Sequence, residues 1–451
     1  MTSLTKDLEQ TGMNRRRFLK LITASTATAI MAPLLDGCAK NPVTGQQQLM
    51  FVSREQEIAL DKENSPHQFS ADNGPVQDTM LNDYVSQVGI KLATMSHRPE
   101  MPYSYRVVNA NYVNAYAFPG GSIATTRGLM LELENEAELA ALLGHETGHV
   151  ASRHQASRMT QGLLVSAAVL GGSIYVGSEL GGGWGQVTQI LGGIAAGALL
   201  AFYSRSDERE ADHLGIEYTT RIGLSPQGMI GLQQILVEKS NDDPGLLELM
   251  FASHPMSSER LATAKKEAET EYAAFMTLPV QRERFMDNTA NLRKMAGAIK
   301  AQQKGEKELG QGQALKAEKT LKQALSMAPD DYSGLLLMSS CQAEIGKYAE
   351  ARKYATEAKA VYPQEAKANQ ALGVANLMDD RYDAAYENFT RYDSMLPGNP
   401  QMLFLRGVCQ EGTGNRRKAS SLYAAYIQKV GQGDQASYAY SRLSQWGAIR
   451  K

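Results

Sequence analysis

The stretch NEAELAALLGHETGHV, residues 135–150, places two histidines four positions apart in a pattern typical of a helix. Asn135 is a favoured helix N-cap residue, and Glu138 three positions later completes a capping box. Side chains four apart lie on one face of a helix, so the imidazoles of His145 and His149 can reach the same cation. Because Zn²⁺ suits imidazole nitrogen and takes about four ligands, the stretch predicts a zinc-binding helix.

Glu146 directly follows the first of these histidines and would lie beside the metal. From there its carboxylate can take a proton from the attacking water and pass it to the leaving amine of a peptide bond. The alternative is a surface helix with two incidental histidines. With 7 histidines in 451 residues, chance would produce the motif in fewer than about one chain in a hundred, so we favour catalysis.

A catalytic zinc site needs a third protein ligand and one open position. The stretch from Ser204 to Asp212 offers carboxylates for this purpose. Glu208 and Asp212 lie four apart, so a helix puts them on one face, with Glu208 on the metal and Asp212 holding a histidine in its ligand tautomer. Glu210 is the competing ligand. It lies about 200° around the helix from Glu208, so the two cannot share a role.

Together these motifs resemble the gluzincin metalloprotease family of the HtpX and beta-barrel assembly-enhancing protease type. Two further segments match the family in the expected order: Asn114-Ala115-x-Ala117-x-Pro119-Gly120-Gly121-x-Ile123, and Ser253-His254-Pro255 followed by Arg260. The resemblance covers roughly residues 53–270. The resemblance implies a zinc endopeptidase with a mainly helical domain and a small sheet. It also implies substrates among misassembled outer-membrane proteins.

In the family fold an edge strand binds substrate as an added strand, and residues 114–126 are the candidate here. The expected contact residues are Asn114, Ala115, Tyr116 and Ala117. Such backbone pairing recognises extended chain rather than sequence, which suits unfolded proteins. A plain hairpin of the core is an equally open interpretation.

Three aromatic side chains outside the motif helix, His254, His154 and Tyr203, are considered for a place at the site. His254 precedes Pro255 and so lies at a bend; the family match suggests that it lies near the zinc, donating to the oxyanion or occupying the open metal position at rest. The alternative is a capping or core histidine. His154 lies five residues past His149, off the ligand face, so we expect a structural role. Tyr203 is a candidate for transition-state stabilisation, with core packing as the alternative.

The first 37 residues are typical of an export signal. Arg15-Arg16-Arg17-Phe18-Leu19-Lys20 matches a twin-arginine motif, and the apolar stretch after it, about 15 residues long, is too short for a membrane span. Leu35-Asp36-Gly37-Cys38 resembles a lipobox with Cys38 as the acylated residue, although Asp36 departs from the usual small neutral residue. We therefore expect a periplasmic lipoprotein anchored to the outer membrane. A cytoplasmic amphipathic helix is the alternative.

Residues 163–202 are apolar and Gly-rich, interrupted by Gly181-Gly182-Gly183. Each half is about 15 residues, short for a membrane span. We expect two packed helices joined by a loop that acts as a lid over the active site. A membrane hairpin is the alternative.

The C-terminal third repeats with a period of 34 residues, the length of a tetratricopeptide repeat. Four positions recur in phase: Pro329, Pro363 and Pro397; Ala317, Ala351, Ala385 and Ala419; Gly305, Ser339, Gly373 and Gly407; and Leu321, Ala355, Phe389 and Tyr423. Lys304 and Glu308 stand where apolar residues are usual, so we expect the first repeat to merge with the preceding helix. Residues 435–446 are expected to form a capping helix. Repeat arrays bind proteins or peptides on a concave face, with a purely structural flank as the alternative.

Composition excludes some classes of function. Hydrophobic residues make up 43% and charged residues 21%, with a net charge of −2 and no basic stripe, so no nucleic-acid partner is expected. Two of the three cysteines, Cys341 and Cys409, lie two repeat lengths apart, too far for a disulfide in stacked repeats.

The sequence thus predicts a mainly α protein of four segments: a signal peptide (1–37), a tether (38–52), an α+β zinc metalloprotease domain (53–295) and an α-solenoid of tetratricopeptide repeats (296–451). We expect it to cleave unfolded or misassembled envelope proteins in outer-membrane quality control. The repeats would bind a protein partner such as the outer-membrane assembly machinery, so their deletion from about residue 300 should spare cleavage of a generic unfolded protein. The alternatives are a non-proteolytic chaperone or scaffold with a structural zinc, and an integral-membrane protease like HtpX.

Overall fold

The computed structural model describes residues 38–169 and 203–449, apart from 243, 248–249, 251–252 and 256–257. The predicted signal peptide and residues 170–202 of the predicted lid lie outside the described residues. Among the described residues, no helix has both the length and the apolar character needed to cross a membrane. The architecture is mainly α, as the sequence predicts, with two small sheets.

Residues 38–52 form a folded ribbon and not the free tether that their composition suggests. Strand β1 (Cys38–Lys40) pairs antiparallel with β2 (Gln47–Leu49). The turn between them is closed by the Asn41 side chain, whose Oδ1 accepts the N–H of Val43 at 2.8 Å, and by Gly45 at φ +69°. Phe51 then donates its N–H to Thr160 Oγ1 at 3.0 Å, which fixes the ribbon on the first domain.

The second sheet has three strands in the order β3-β5-β4. Strand β3 (Ser104–Val108) runs parallel to β5 (Ser122–Thr126), and β4 (Ala115–Ala117) runs antiparallel to β5 with Tyr116 opposite Ala124. Strand β4 therefore lies at the edge of the sheet, as the substrate-strand hypothesis requires.

Among the described residues, eight helices belong to the first domain up to residue 270, and their bounds are α1 (Arg54–Ala71), α2 (Thr79–Met95), α3 (Arg127–Glu132), α4 (Glu136–Ala151), α5 (His154–Val169), α6 (Arg205–Arg221), α7 (Gln227–Asp242) and α8 (Ser258–Thr270). Short 3₁₀ turns follow α7 and α8 at Pro244–Leu247 and Ala273–Phe275. Helix α4 carries the two-histidine motif and is buried along its entire length. Asn135 caps it as predicted, accepting the N–H of Glu138 at 3.0 Å. The predicted capping box is not completed, because the Glu138 carboxylate accepts the N–H of Glu134 and not that of Asn135.

Helices α4 and α6, which carry the two motifs, pack backbone against backbone. A Cβ atom on Gly144 would lie 3.1 Å from the carbonyl oxygen of Gly215, and one on Gly148 would lie 3.3 Å from Ala211 Cα. A larger residue at any of these positions would separate the helices. The close approach brings the histidines of α4 and the carboxylates of α6 into one buried space.

Two short helices, α9 (Arg282–Asn288) and α10 (Ala290–Lys294), lead into the repeats. The repeat helices are α11 (Ala296–Gly310), α12 (Ala314–Met327), α13 (Tyr332–Glu344), α14 (Tyr348–Val361), α15 (Lys367–Leu377), α16 (Tyr382–Met395), α17 (Pro400–Gly412), α18 (Arg416–Lys429) and α19 (Asp434–Gln445). The recurrent glycines allow each pair to close: a Cβ on Gly373 would meet the Phe389 ring at 2.5 Å, and one on Gly407 the Tyr423 ring at 2.6 Å. Cys341 and Cys409 are buried free thiols.

Glu308, one of the two polar residues at usually apolar positions of the first repeat, is buried and has a partner. Glu308 accepts a hydrogen bond from Thr320 Oγ1 at 2.7 Å on the facing helix. Only Met295 separates α10 from α11, so the first repeat continues the preceding helix almost without a break, as its sequence predicts.

The repeat array is docked on the first domain through a continuous core and a row of polar contacts. Ile299 of α11 belongs to the same apolar cluster as the residues of α2 and α4. Three side chains at the end of α1 and just after it reach the array: Ser70 Oγ donates to Glu365 Oε1 (2.5 Å), Asn73 Nδ2 to Ser333 Oγ (3.0 Å) and Gln77 Nε2 to the Val361 carbonyl (2.9 Å). The expectation that the repeats could be removed without harm to the first domain is therefore at odds with the packing.

Candidate active site

Four side chains from three parts of the chain converge in the core of the first domain. They are His145 and His149 of α4, Glu208 of α6 and His254, and their ligand atoms all lie within 4.8 Å of one another. The Nε2 atoms of His145 and His149 are 3.1 Å apart. Glu208 Oε1 lies 3.4 Å from His149 Nε2 and 3.0 Å from His254 Nδ1. All four residues are buried.

This group fits a zinc ion by the chemistry of its donors. Three imidazole nitrogens and one carboxylate oxygen make up the kind of set that zinc prefers. His254 Nε2 and both carboxylate oxygens of Glu146 are buried beside the group without a hydrogen-bond partner among the described residues. Buried polar atoms in that condition are costly unless an ion or water completes them.

Asp212 lies beside the second ring nitrogen of His145. Its Oδ1 lies 2.9 Å from His145 Nδ1, and the carboxylate is itself held by Arg260, whose Nε and Nη2 each donate at 2.7 Å. Burial alone would raise the pKa of Asp212, but the charge and hydrogen bonds of Arg260 and the bond to His145 outweigh it and lower the pKa. Asp212 is therefore an ionised carboxylate whose Oδ1 lies close to the His145 ring.

The structure brings Glu208 and not Glu210 to the histidines. Arg260 Nη1 lies 2.7 Å from Glu208 Oε2. Burial opposes ionisation of Glu208, yet His254, His149 and Arg260 together hold its pKa well below the ordinary value. Glu210 points elsewhere, where its Oε1 accepts from Ser152 Oγ at 2.8 Å.

Glu146 lies beside the ligand group. Its Oε1 is 3.7 Å from His254 Nε2. Burial raises the pKa of Glu146, while His254 and His145 lower it in part. A carboxylate with a raised pKa is suited to exchanging protons near neutral pH. Burial also lowers the pKa of His149 well below its usual value, so this imidazole is neutral and available to a metal.

Sequence reasoning missed the surroundings of His149. The Nδ1 atoms of His149 and His154 lie 2.9 Å apart, because Arg153 adopts a left-handed φ of +60° after α4 and turns the chain back. Tyr203 stacks on the other side of the motif, with its ring centroid 3.6 Å from that of His149. Only the left-handed turn brings His154 here, and helical spacing alone gives no sign of such a turn.

The candidate substrate strand lies close to this cluster but is covered in the structure. Asn114, Ala115, Tyr116 and Ala117 are all buried. The backbone groups of Asn114 and Phe118 pair with β5, so those of Ala115 and Ala117 face away from the sheet. Gln155 Nε2 donates to the Ala117 carbonyl at 2.8 Å and also contacts the Tyr203 hydroxyl. A substrate strand paired at Ala117 would have to replace Gln155.

Comparison with known proteins agrees with this geometry. Residues 79–268 match the family model for peptidase family M48, and residues 308–373 match one for the tetratricopeptide repeat. The beta-barrel assembly-enhancing protease of Yersinia pestis is 29% identical over 197 residues, which is 43% of this chain and 40% of that protein. Metalloprotease YcaL of Escherichia coli (strain K12) is 36% identical over 161 residues, 35% of this chain and 59% of that protein.

The chain thus carries a peptidase family M48 domain followed by tetratricopeptide repeats. The match spans about two fifths of the length of the Yersinia relative. Among solved structures, YrrB, titled a TPR protein with an unusual peptide-binding site, has a TM-score of 0.30 at 16% identity over 46% of this chain and 97% of that one. The type IV pilus biogenesis factor PilW has a TM-score of 0.32 at 16% identity over 46% and 96%.

Proposed function

Because residues 79–268 form a peptidase family M48 domain, we propose that this protein is a zinc-dependent metalloendopeptidase that hydrolyses unfolded or misassembled proteins of the bacterial envelope. The observation that carries the proposal is the buried convergence of His145, His149 and Glu208 around a carboxylate, Glu146, that has no hydrogen-bond partner among the described residues. A structural role alone would not require an unpartnered acid at that point.

His145, His149 and Glu208 would hold the metal, and Asp212 and Arg260 would orient two of these ligands. A bound zinc ion supplies Lewis acidity, which polarises the peptide carbonyl and acidifies the attacking water. Glu146 takes the proton of that water as its oxygen bonds to the carbonyl carbon. The same carboxyl group then delivers the proton to the amide nitrogen as the C–N bond breaks.

His254 occupies the fourth place around the group, where its Nδ1 lies 3.0 Å from Glu208 Oε1. A catalytic site needs this place for water and substrate. We therefore infer that His254 closes the site at rest and withdraws when substrate binds. The enzyme would then have low activity until the segment around His254 moves.

Substrate would bind as an added strand on the edge of β4, at the outward backbone groups of Ala115 and Ala117. Pairing of this kind needs an extended chain and therefore selects unfolded polypeptide. The amide of Gln155 holds the Ala117 carbonyl at 2.8 Å in the meantime. Its release would accompany substrate entry.

In the cell we propose a periplasmic role in outer-membrane protein quality control, with a lipid anchor at Cys38 and a protein partner on the repeats. The name of the Yersinia relative, a beta-barrel assembly-enhancing protease, supports this assignment. The twin-arginine motif and the lipobox-like sequence before Cys38 are consistent with it.

The closed four-donor group also favours a second candidate, a chaperone or scaffold with a structural zinc, because structural zinc sites have no open position. One experiment separates the two. Zinc content and cleavage of a reduced, alkylated, permanently unfolded protein are measured for residues 38–451, for Glu146→Gln and for His254→Ala. Proteolysis predicts that cleavage is lost in Glu146→Gln with zinc retained, and that it rises in His254→Ala. Zinc-loaded protein that cleaves nothing even as His254→Ala would refute the protease and support the scaffold.

A further inference from the structure

His149 has a different partner from the other motif histidine. The second ring nitrogen of His145 meets a carboxylate, Asp212, whereas that of His149 meets another imidazole, His154, at 2.9 Å. His149 is fully buried and His154 is 5% exposed, so bulk water cannot take over this contact. We propose that His154 is a positioning residue that fixes the ring and tautomer of His149 as a zinc ligand; the inference rests on the proposed zinc site.

The argument begins with the proton on His149. Its Nε2 faces the other donors, 3.4 Å from Glu208 Oε1, so Nε2 is the atom that would hold the metal and carries no proton. The single proton of the neutral ring is then on Nδ1, and a buried N–H needs an acceptor. The acceptor that the structure offers is His154 Nδ1.

His154 can accept only if its own proton is on Nε2. That nitrogen faces two carboxylates, with Glu210 Oε2 at 3.6 Å and Asp207 Oδ1 at 3.9 Å. Both carboxylates are held in place, Glu210 by Ser152 Oγ at 2.8 Å and Asp207 by Arg158 Nη2 at 3.0 Å. The acidic side of the pocket therefore favours the Nε2–H tautomer of His154, which leaves its Nδ1 free to accept from His149.

The backbone is built to hold His154 in this place. Arg153 takes a left-handed φ of +60°, which is unfavourable for a residue with a side chain. Its guanidinium is fixed at both ends, by Glu57 Oε1 at 3.1 Å and by the Val52 carbonyl at 2.6 Å. The Tyr203 ring covers a face of the His149 imidazole. With one face covered and its N–H bound, the His149 ring has little freedom to rotate away from the metal.

Two substitutions separate the hydrogen bond from the packing. In His154→Asn the side-chain oxygen stands at the same number of bonds from the backbone as Nδ1 and can still accept; in His154→Leu the space is filled but nothing accepts. Zinc affinity is measured for each by competition with a chromophoric chelator, and the melting temperature of the metal-free protein is measured alongside. His213→Leu, a histidine that pairs with Glu267 away from the cluster, is the matched control.

We expect His154→Leu to weaken zinc binding by about 10–100-fold, the usual cost of losing a partner of a ligating histidine. His154→Asn should recover most of that loss, and the control His213→Leu should bind zinc as tightly as the unsubstituted protein does. If His154→Leu does not fold, His154→Gln is used in its place, because the longer glutamine side chain carries its amide oxygen past the position that Nδ1 of His154 occupies. Unchanged affinity in the leucine variant, or equal loss in both variants, would overturn the proposal. Because the readout is zinc affinity, the positioning role of His154 is tested separately from cleavage. If the unsubstituted protein takes up no zinc, the proposed metal site is refuted instead.

Discussion

Removing the carboxylate of Asp331 should loosen the repeat array from the first domain. The guanidinium of Arg127 is 2% exposed, and its Nη1 and Nη2 donate to Asp331 Oδ1 and Oδ2 at 2.6 and 3.0 Å. Gln302 Oε1 accepts a further hydrogen bond from Nη2 at 2.6 Å, and Asn111 Oδ1 accepts from Nε at 2.9 Å. Every partner is a side chain, and two of the three belong to the repeats.

The expected magnitude follows from burial. Breaking a buried ion pair by removing one partner costs about 3–5 kcal/mol, because the other charge stays buried and unpaired. Asp331 also caps α13 by accepting the N–H of Gly334 at 2.9 Å, and losing a cap costs about 1 kcal/mol more. Asp331→Asn keeps the cap and should lose about 3–5 kcal/mol, and Asp331→Ala slightly more. The double variant Arg127→Met with Asp331→Asn should lose clearly less than the sum of its parts.

The assay is urea unfolding followed by circular dichroism, with limited proteolysis near residue 295 as a local probe of docking. Arg352–Asp379 is a matched control within the array, since its Nη1–Oδ2 distance is also 2.6 Å but the two side chains are 19% and 38% exposed. Breaking that exposed pair should cost at most about 1 kcal/mol. Losses of the same size at both pairs, or additive losses in the double variant, would refute the reasoning.

Deleting the repeats from about residue 300 removes Asp331 and Gln302 together, so we now expect the truncation to unfold or aggregate.

Three further predictions concern other sites. The hydrogen bond that His213 donates to Glu267 raises the pKa of His213. The stability that this contact adds is therefore fully present below about pH 6.5 and is lost as the pH rises through the folded-state pKa. His213→Gln should flatten the dependence of the melting temperature on pH between about pH 6 and 8, and an unchanged profile would contradict this. Arg260→Gln removes the guanidinium that pairs with Glu208 and Asp212. It should weaken zinc binding by about 10–100-fold in chelator competition. Unaltered affinity would show that these two carboxylates hold their places without Arg260. A Cβ atom at Gly128 would lie 2.0 Å from a backbone oxygen, whereas one at Gly310 would meet nothing within 4 Å. In thermal unfolding, Gly128→Ala should therefore destabilise the protein by more than the typical cost of overpacking, which is about 1–3 kcal/mol. Gly310→Ala should be neutral or stabilising by up to about 1 kcal/mol.

The parts of the site that helical geometry governs could be predicted from sequence. His145 and His149 are one turn apart on α4, and Glu208 and Asp212 are one turn apart on α6, so spacing alone indicated their faces. The 34-residue period likewise indicated the helix pairs, because each repeat buries the same positions. These are local rules, and they hold wherever the backbone is regular.

The parts that depend on irregular backbone or on distant contacts could not be predicted. His154 reaches His149 only because Arg153 is left-handed, and helical spacing put it on the wrong side. Residues 38–52 have the composition of a linker, yet Asn41 and Thr160 fix them in a ribbon. No sequence pattern indicated the role of Arg127, since its two partners in the repeats lie 175 and 204 residues further along the chain.

The docking of the array by buried charge and shared core has a consequence for how clients would be chosen. A flexible linker would let a bound protein sample every orientation, and its local concentration at the catalytic centre would depend only on linker length. An array held by Arg127 and by the end of α1 would instead present any bound protein from one fixed direction. A client would then be cut only where its own geometry brings an unfolded segment to β4. Selection would depend on the distance in the client between the part bound by the repeats and that unfolded segment, and not on the residues at the cleavage point.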